Sequence, residues 1–270
     1  MDNMQKIPVF FTFDANYLLA AKVAIHSMMK HASQQYWYEL YVFHTTLSPK
    51  AQQSLRNSLK EFTHTELHFI DVTQYNEKIK NFGTKAHYSK EIFYKLIATD
   101  VLPQYDRIIC SDVDVVFTGD FSPVFFMFPN EKFYYAGVGP VENSRMPYYR
   151  KDFSTTEMEI LEHEIAAGFL LINLKELRND HKQEEIINFY VNNYPRLRLP
   201  EQDCIILTCW PYIKYLPVDY SLPISFYRLN MNQRDFYQGN TEFAGDKATA
   251  LAKFNKGLAH PVQIHYAGLD

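Results

Sequence analysis

The stretch Arg107–Thr118, RIICSDVDVVFT, constrains this chain more than any other. Its apolar residues, Ile108, Ile109 and Cys110 before and Val115, Val116 and Phe117 after, read as a buried strand of a parallel or mixed sheet. Between them sit two carboxylates, Asp112 and Asp114. Burying an ionised carboxylate is costly unless it is paired or holds a metal. In a strand, residues i and i+2 face the same way, so the two aspartates share a face, and no Lys or Arg lies between them. The residues leave two readings open. Either a divalent cation holds both carboxylates, or the strand ends at Ser111 and both are solvated in a turn.

The rest of the chain builds a frame around this stretch. Ile7–Phe13 reads as a first strand, broken by Asp14, Ala15 and Asn16. A helix follows from Tyr17, with Leu18, Ala21, Ile25, Met28 and Ala32 on one stripe and Asn16 as N-cap. Glu39–Phe43 and Leu67–Val72 are the next strands, separated by a helix that Ser48 and Pro49 open. Asn81–Tyr88 is a polar loop, and Ser89 caps a helix with Phe93, Ile97 and Val101 on one face, ending before Pro103. Lys95 lies off that stripe and reads, taken alone, as a solvated helix face. Strand and helix alternate up to the aspartate strand, which is the α/β signature. Open α/β sheets bind ligands at the carboxyl ends of their strands, where Asp112 and Asp114 fall.

Beyond it, Phe133–Gly139, Ile165–Leu174 and Ile213–Val218 read as strands, with Gly168 marking a close backbone approach or a bulge. Val141–Thr156 is a polar loop or lid, and Glu184–Tyr194 a helix. Pro200 opens a further helix at Glu201, Gln202 and Asp203. Its N–H groups suit an anionic or sugar ligand, or its acids simply complement the helix dipole. Tyr220–Gly257 is irregular and aromatic, and Val262–Ile264 is a short strand delivering His265. A single late histidine is by itself more often structural than a ligand. No linker is visible, so the expectation is one domain over residues 1–270.

Composition excludes several classes. A net charge of −4 without a long basic run disfavours a nucleic-acid partner. Cys110, Cys204 and Cys209 lack zinc spacing and read as reduced core thiols of a cytoplasmic protein. No apolar run approaches the ~20 residues of a membrane span, so any membrane association is expected to be peripheral, at the inner face. The turn after the first strand has no Gly-x-Gly-x-x-Gly, which excludes the dinucleotide fingerprint.

In order and spacing, VFFTFDANY (Val9–Tyr17), RIICSDVDVVF, AGFLLINL (Ala167–Leu174), PEQD (Pro200–Asp203) and HYAG (His265–Gly268) resemble glycosyltransferase family eight. That family includes bacterial lipopolysaccharide galactosyl- and glucosyltransferases and glycogenin, and the resemblance runs from Pro8 to Asp270. It implies a GT-A fold, a Rossmann-like nucleotide-binding α/β domain with a mostly parallel mixed sheet. The implied activity moves a hexose from a UDP-sugar donor to a glycan or glycolipid acceptor (lipopolysaccharide, capsule or a protein-linked glycan), with retention at the anomeric carbon. Asp112, Asp114 and His265 are then the ligands of Mn2+ or Mg2+, so the resemblance turns His265 from a structural residue into a ligand. Two carboxylates and an imidazole suit Mn2+. Thr12, Asp14, Asn16 and Tyr17 take the positions that hold uracil and ribose. Lys95, Val113, Glu201 and Gly268 join the donor site, and Gln202 stands beside the anomeric carbon with Asp203 near the donor sugar.

The chain departs from the family at three places. Ala166 replaces an Asn, Glu201 replaces an Asp, and the sequence stops at Asp270, short of a diphosphate-clamping Lys. The expectation is therefore a domain without the family's C-terminal tail. Ala166 and the missing Lys motivate an alternative, a UDP-sugar-binding module with little catalysis. A sugar-nucleotide pyrophosphorylase is disfavoured, because Asp14-Ala15-Asn16 is not the Gly-rich basic loop such enzymes need.

Overall fold

The computed structural model describes residues 4–80, 90–142 and 151–267. Alternation along the strands sets the architecture. In β1 (Lys6–Thr12), Val9 and Phe11 face one core while Phe10 faces another. The same split recurs in β4 (Ile108–Ser111), where Ile109 opposes Ile108 and Cys110. It recurs again in β7 (Phe169–Ile172), where Phe169 and Leu171 oppose Leu170 and Ile172. A sheet apolar on both faces must be covered on both, which is why these strands read as continuous apolar runs.

With β2 (Trp37–His44), β3 (Thr65–Asp71), β6 (Tyr135–Val138) and β8 (Ile213–Leu216), these strands form a seven-stranded sheet of order β3-β2-β1-β4-β7-β6-β8. Strands β3, β2, β1 and β4 run parallel, as do β6 and β8, and β7 is antiparallel to its neighbours β4 and β6. A mostly parallel mixed sheet is thus the expected one. Helix α1 (Leu18–His31) buries Ala21, Ala24, Ile25, Met28 and Met29 on the first core, with Val9 and Phe11. Helices α2 (Pro49–Asn57) and α3 (Asn76–Ile79) follow β2 and β3. The second face is covered by a 3-10 segment, Lys90–Ile97, and by α4 (Ala98–Val101), α5 (Thr155–Leu161), α6 (Leu174–Asn179), α7 (Lys182–Asn193) and α8 (Pro200–Cys209). Helix α8 is buried almost all round, as a helix packed inside a domain must be, and carries the buried Cys204 and Cys209.

The structure differs from the sequence reading at several points. Arg107–Thr118 is not one strand; the strand ends at Ser111, as the second of the two open readings has it. The chain leaves the large sheet at Ser111, turns through Asp112–Asp114, and re-enters as β5 (Val115–Phe117) in a separate three-stranded sheet, order β5-β10-β9. Its partners are β9 (Leu222–Pro223) and β10 (Gln263–His265). The expected helix after Asp14 begins as a 3-10 turn, Ala15–Tyr17. Its cap is Asp14, whose carboxylate accepts from Asn16 N at 2.8 Å, so Asn16 is not the N-cap. Ser48 caps α2 as read, accepting from Ala51 N. The strand expected over Ile165–Leu174 is shorter, because Asn173 caps α6. Tyr220–Gly257 is not wholly irregular. Asp246 caps α9 (Lys247–Ala259), whose Phe254 packs with Phe226, Phe236 and Phe243. The expected loop over residues 81–88, Ser89, residues 143–150 of the expected lid, and Gly268 lie outside the described residues.

Candidate active site

The carboxyl ends of β1 and β4 meet the start of β7 at one edge of the large sheet, and the candidate residues converge there. Asp112 and Asp114 occupy the turn between the two sheets, and they converge by that turn rather than by strand alternation. The turn is held from both sides. Asp112 N donates to Gly168 O at 3.0 Å, and Tyr266 N donates to Asp114 O at 2.9 Å. His265, at the end of β10, pairs with Val115 across the antiparallel ladder. Its Nε2 lies 3.3 Å from Asp114 Oδ1 and 3.7 Å from Asp112 Oδ2. Ligand atoms of the three residues all fall within 4.8 Å of one another.

Gly168 makes room for this cluster. A Cβ there would stand 2.5 Å from His265 Cε1 and 2.6 Å from Nδ1, so the close approach expected at this glycine is to the imidazole. The ring's Cε1–Nδ1 side therefore approaches the Gly168 backbone, with Nε2 turned to the carboxylates. Burial opposes protonation of His265, but the hydrogen bond to Asp114 and the charges of both aspartates outweigh it and raise its pKa. Burial likewise works against the charged form of Asp114, and His265 holds it below the usual carboxylate range. Two carboxylates and an imidazole converging on one point, with a cradle cut for the ring, fit a divalent cation of mixed O and N preference.

Lys95 overturns its residue-level reading as a solvated face. Its side chain is 2% exposed, with Nζ 2.6 Å from Asp112 Oδ1, 3.4 Å from Glu201 Oε1 and 3.1 Å from Ala167 O. Burial disfavours the ammonium, but Asp112 and Glu201 reverse the balance and keep it charged. Lys95 thus occupies one oxygen of Asp112 and leaves the other towards His265. Glu201 is buried, and its Oε2 has no hydrogen-bond partner among the described residues. Its burial outweighs the weaker pull of Lys95 and pushes its pKa up.

The other expected residues range from exposed to buried. Asp14 is half-buried, Asn16 is exposed, and the Tyr17 ring is 43% exposed. Thr12 is buried, and its hydroxyl donates to Glu91 O at 2.7 Å, tying β1 to the segment that carries Lys95. Val113 is buried between the two aspartates. Gln202 is half-buried, with Oε1 accepting from Ala167 N at 2.9 Å. Asp203 is fully buried, and its Oδ2 accepts from Leu199 N at 3.1 Å. That contact fixes the entry to α8. Three residues escaped the sequence reading. Glu164 is a buried carboxylate 3.5 Å from Gln202 Nε2, and Ser111 and Gln263 join the two sheets beside the aspartates. For Gln263 a signal existed, since it alternates with His265 along one strand.

The model of glycosyl transferase family 8 matches residues 8–269. The chain belongs to that family. No curated protein matches it by sequence. Among solved structures, the bifunctional glycosyltransferase WbbM resembles it with a TM-score of 0.74 at 21% identity, covering 100% of this chain and 47% of WbbM. This family member thus spans about half the length of that relative. The galactosyltransferase LgtC, solved with donor and acceptor sugar analogues, gives 0.69 at 15% identity, covering 97% of this chain and 88% of LgtC. Mouse xyloside xylosyltransferase 1 gives 0.63 at 14% identity, covering 98% of both chains. The family 8 chain therefore has the GT-A fold of these glycosyltransferases. Among its described residues, no helix is long and apolar enough to cross a membrane.

Proposed function

We propose that this family 8 chain is a metal-dependent retaining hexosyltransferase, a single domain moving a hexose from a UDP-sugar to a hydroxyl of a glycan or glycolipid. The observation that carries the reading is the convergence of Asp112, Asp114 and His265 at the carboxyl edge of the sheet. These three residues would hold Mn2+ or Mg2+. When bound, the cation supplies charge stabilisation to the departing diphosphate. The chain's own groups do the rest. Lys95 orients Asp112 by taking Oδ1, so that Oδ2 faces the cluster. Asp14, Asn16 and the exposed Tyr17 ring, which follow the carboxyl end of β1, receive the nucleoside, with Tyr17 offering a face to the base. Gln202, its amide pinned by Ala167 N–H, stands beside the anomeric carbon. An amide is a poor nucleophile, so this residue suits front-face displacement with the amide oxygen against an oxocarbenium-like centre.

Calorimetric titration of UDP and a panel of UDP-sugars, with and without Mn2+, tests this. Binding should require the metal, and one UDP-sugar should bind best. Asp114→Ala should weaken metal-dependent binding by more than the roughly 100-fold that loss of an outer-shell partner can cost. Metal-independent turnover, or undiminished binding in Asp114→Ala, would sink the proposal. Ala166 favours a second reading. At the start of the β7 segment it presents a methyl group, with its N–H committed to Val138 O at 2.8 Å. A UDP-sugar-binding module would take up UDP with metal yet give no product with any acceptor.

A further inference from the structure

The proposed metal ligands hang from two different sheets, so something must fix their spacing. Between β10 and β5 the backbone does it, through the ladder and the Tyr266–Asp114 bond. Towards β4 the tie is made by Gln263. This residue lies two positions before His265 on β10, so both side chains leave the same face of the strand. Gln263 is fully buried, and its Nε2 donates to Ser111 Oγ at 3.0 Å. Ser111 Oγ in turn donates to Asp112 O at 2.8 Å. The chain of bonds runs from β10 through Gln263 and Ser111 to the backbone of Asp112. Among the described residues it is the side-chain hydrogen bond that joins β10 to β4.

The other end of the same amide is unmatched. Gln263 Oε1 is buried without a hydrogen-bond partner among the described residues. A buried amide with one end unsatisfied costs stability, and an apolar side chain of the same length would avoid that cost. As a packing residue Gln263 is therefore a poor choice, whereas its donor end reaches the one hydroxyl that is bonded to a proposed ligand.

We propose that Gln263 is a positioning residue of the metal site, setting the distance of His265 from Asp112 through Ser111. The proposal rests on the reading of Asp112, Asp114 and His265 as ligands. Two opposed readouts test it. Mn2+ affinity is measured by electron paramagnetic resonance of the free ion, and thermal melting is followed without metal. The set is wild type, Gln263→Met, Ser111→Ala, the double variant and Asp114→Ala. Gln263→Met should weaken Mn2+ binding by about tenfold, the low end for loss of an outer-shell partner, while melting no lower than wild type. Ser111→Ala cuts the same tie, so the double variant should bind within about twofold of the weaker single one. Wild-type Mn2+ affinity in Gln263→Met, or a weakening matched by a fall in melting temperature, would overturn the positioning role alone. If wild type takes no Mn2+, or Asp114→Ala takes it equally well, the metal reading falls and this inference goes with it.

Discussion

The seven-stranded sheet and the three-stranded sheet are built on opposite principles. The large sheet is assembled largely from neighbours in sequence. β1, β2 and β3 are consecutive, each is seven or eight residues long, and helices close enough to be local cross between them. The small sheet joins residues 115–117, 222–223 and 263–265, three short pieces from distant parts of the chain. The first is a framework with its own apolar cores. The second has too little ladder to be stable by itself and exists because the framework holds it, with α1 packed against β5. Yet the small sheet delivers His265 and supports Asp114. Rigidity and the placement of His265 are thus divided between a locally encoded frame and a distantly encoded clip.

That division predicts where substitutions should be felt. The largest effect should come from Lys95→Met, which removes the cation from a buried cluster and leaves Glu201 and half of Asp112 without a partner. Breaking such a pair typically costs about 3–5 kcal/mol, so the denaturant midpoint should fall sharply, because the damage lies in the framework. An unchanged midpoint would mean that Lys95 contributes nothing to the frame.

Gly168→Ala strikes the junction between the sheets. The added Cβ must displace either the His265 ring or the backbone beneath it, a strain of about 1–3 kcal/mol. If the clip yields before the frame does, Mn2+ affinity should drop by more than stability does. Equal losses in both measurements would show that the two sheets give way together.

The smallest effect belongs to the frame far from the clip. The Glu157 carboxylate accepts from Arg196 and closes a capping box with Ser154 at the start of α5. The Arg196 hydrogen bond, against some burial and with help from Ser154, lowers its pKa from 4.5 to about 2. A depressed folded-state pKa gives stability that is complete above the unfolded value and lost as pH falls through the folded one. Wild type should therefore exceed Glu157→Gln by about 1 kcal/mol near neutrality, and the gap should close between pH 4.5 and 2. Urea melts at several pH values measure it, and a constant gap would contradict the assignment. Metal affinity should not change with this substitution.

Much of the frame was legible because its signals are local. Apolar runs bounded by Pro, Asp and Asn gave the strands, and Ser48–Pro49 and Pro200 gave helix starts. Three misreadings share one cause. The break inside Arg107–Thr118, the burial of Lys95 and the short β9 depend on partners far away in sequence, whereas the caps at Asn173 and Asp246 are local. Lys95 looked like a solvated residue because Asp112 and Glu201, which make its burial tolerable, lie at other places along the chain. The α9 helix was passed over in a stretch dominated by aromatic and polar residues, although Asp246 and Thr249 form an ordinary cap.

By itself, the sequence determined the α/β frame, which rests on side-chain type and short-range periodicity. Its ordered motifs carried the resemblance to family 8, and that resemblance made the two aspartates and the late histidine the candidate ligands. Only the tertiary structure decided that the aspartates sit on a turn between two sheets, that Gly168 is hollowed for an imidazole, and that Gln263 ties one sheet to the other. Each of these is a contact between segments that the chain must fold to bring together, and no local pattern encodes a distance of that kind.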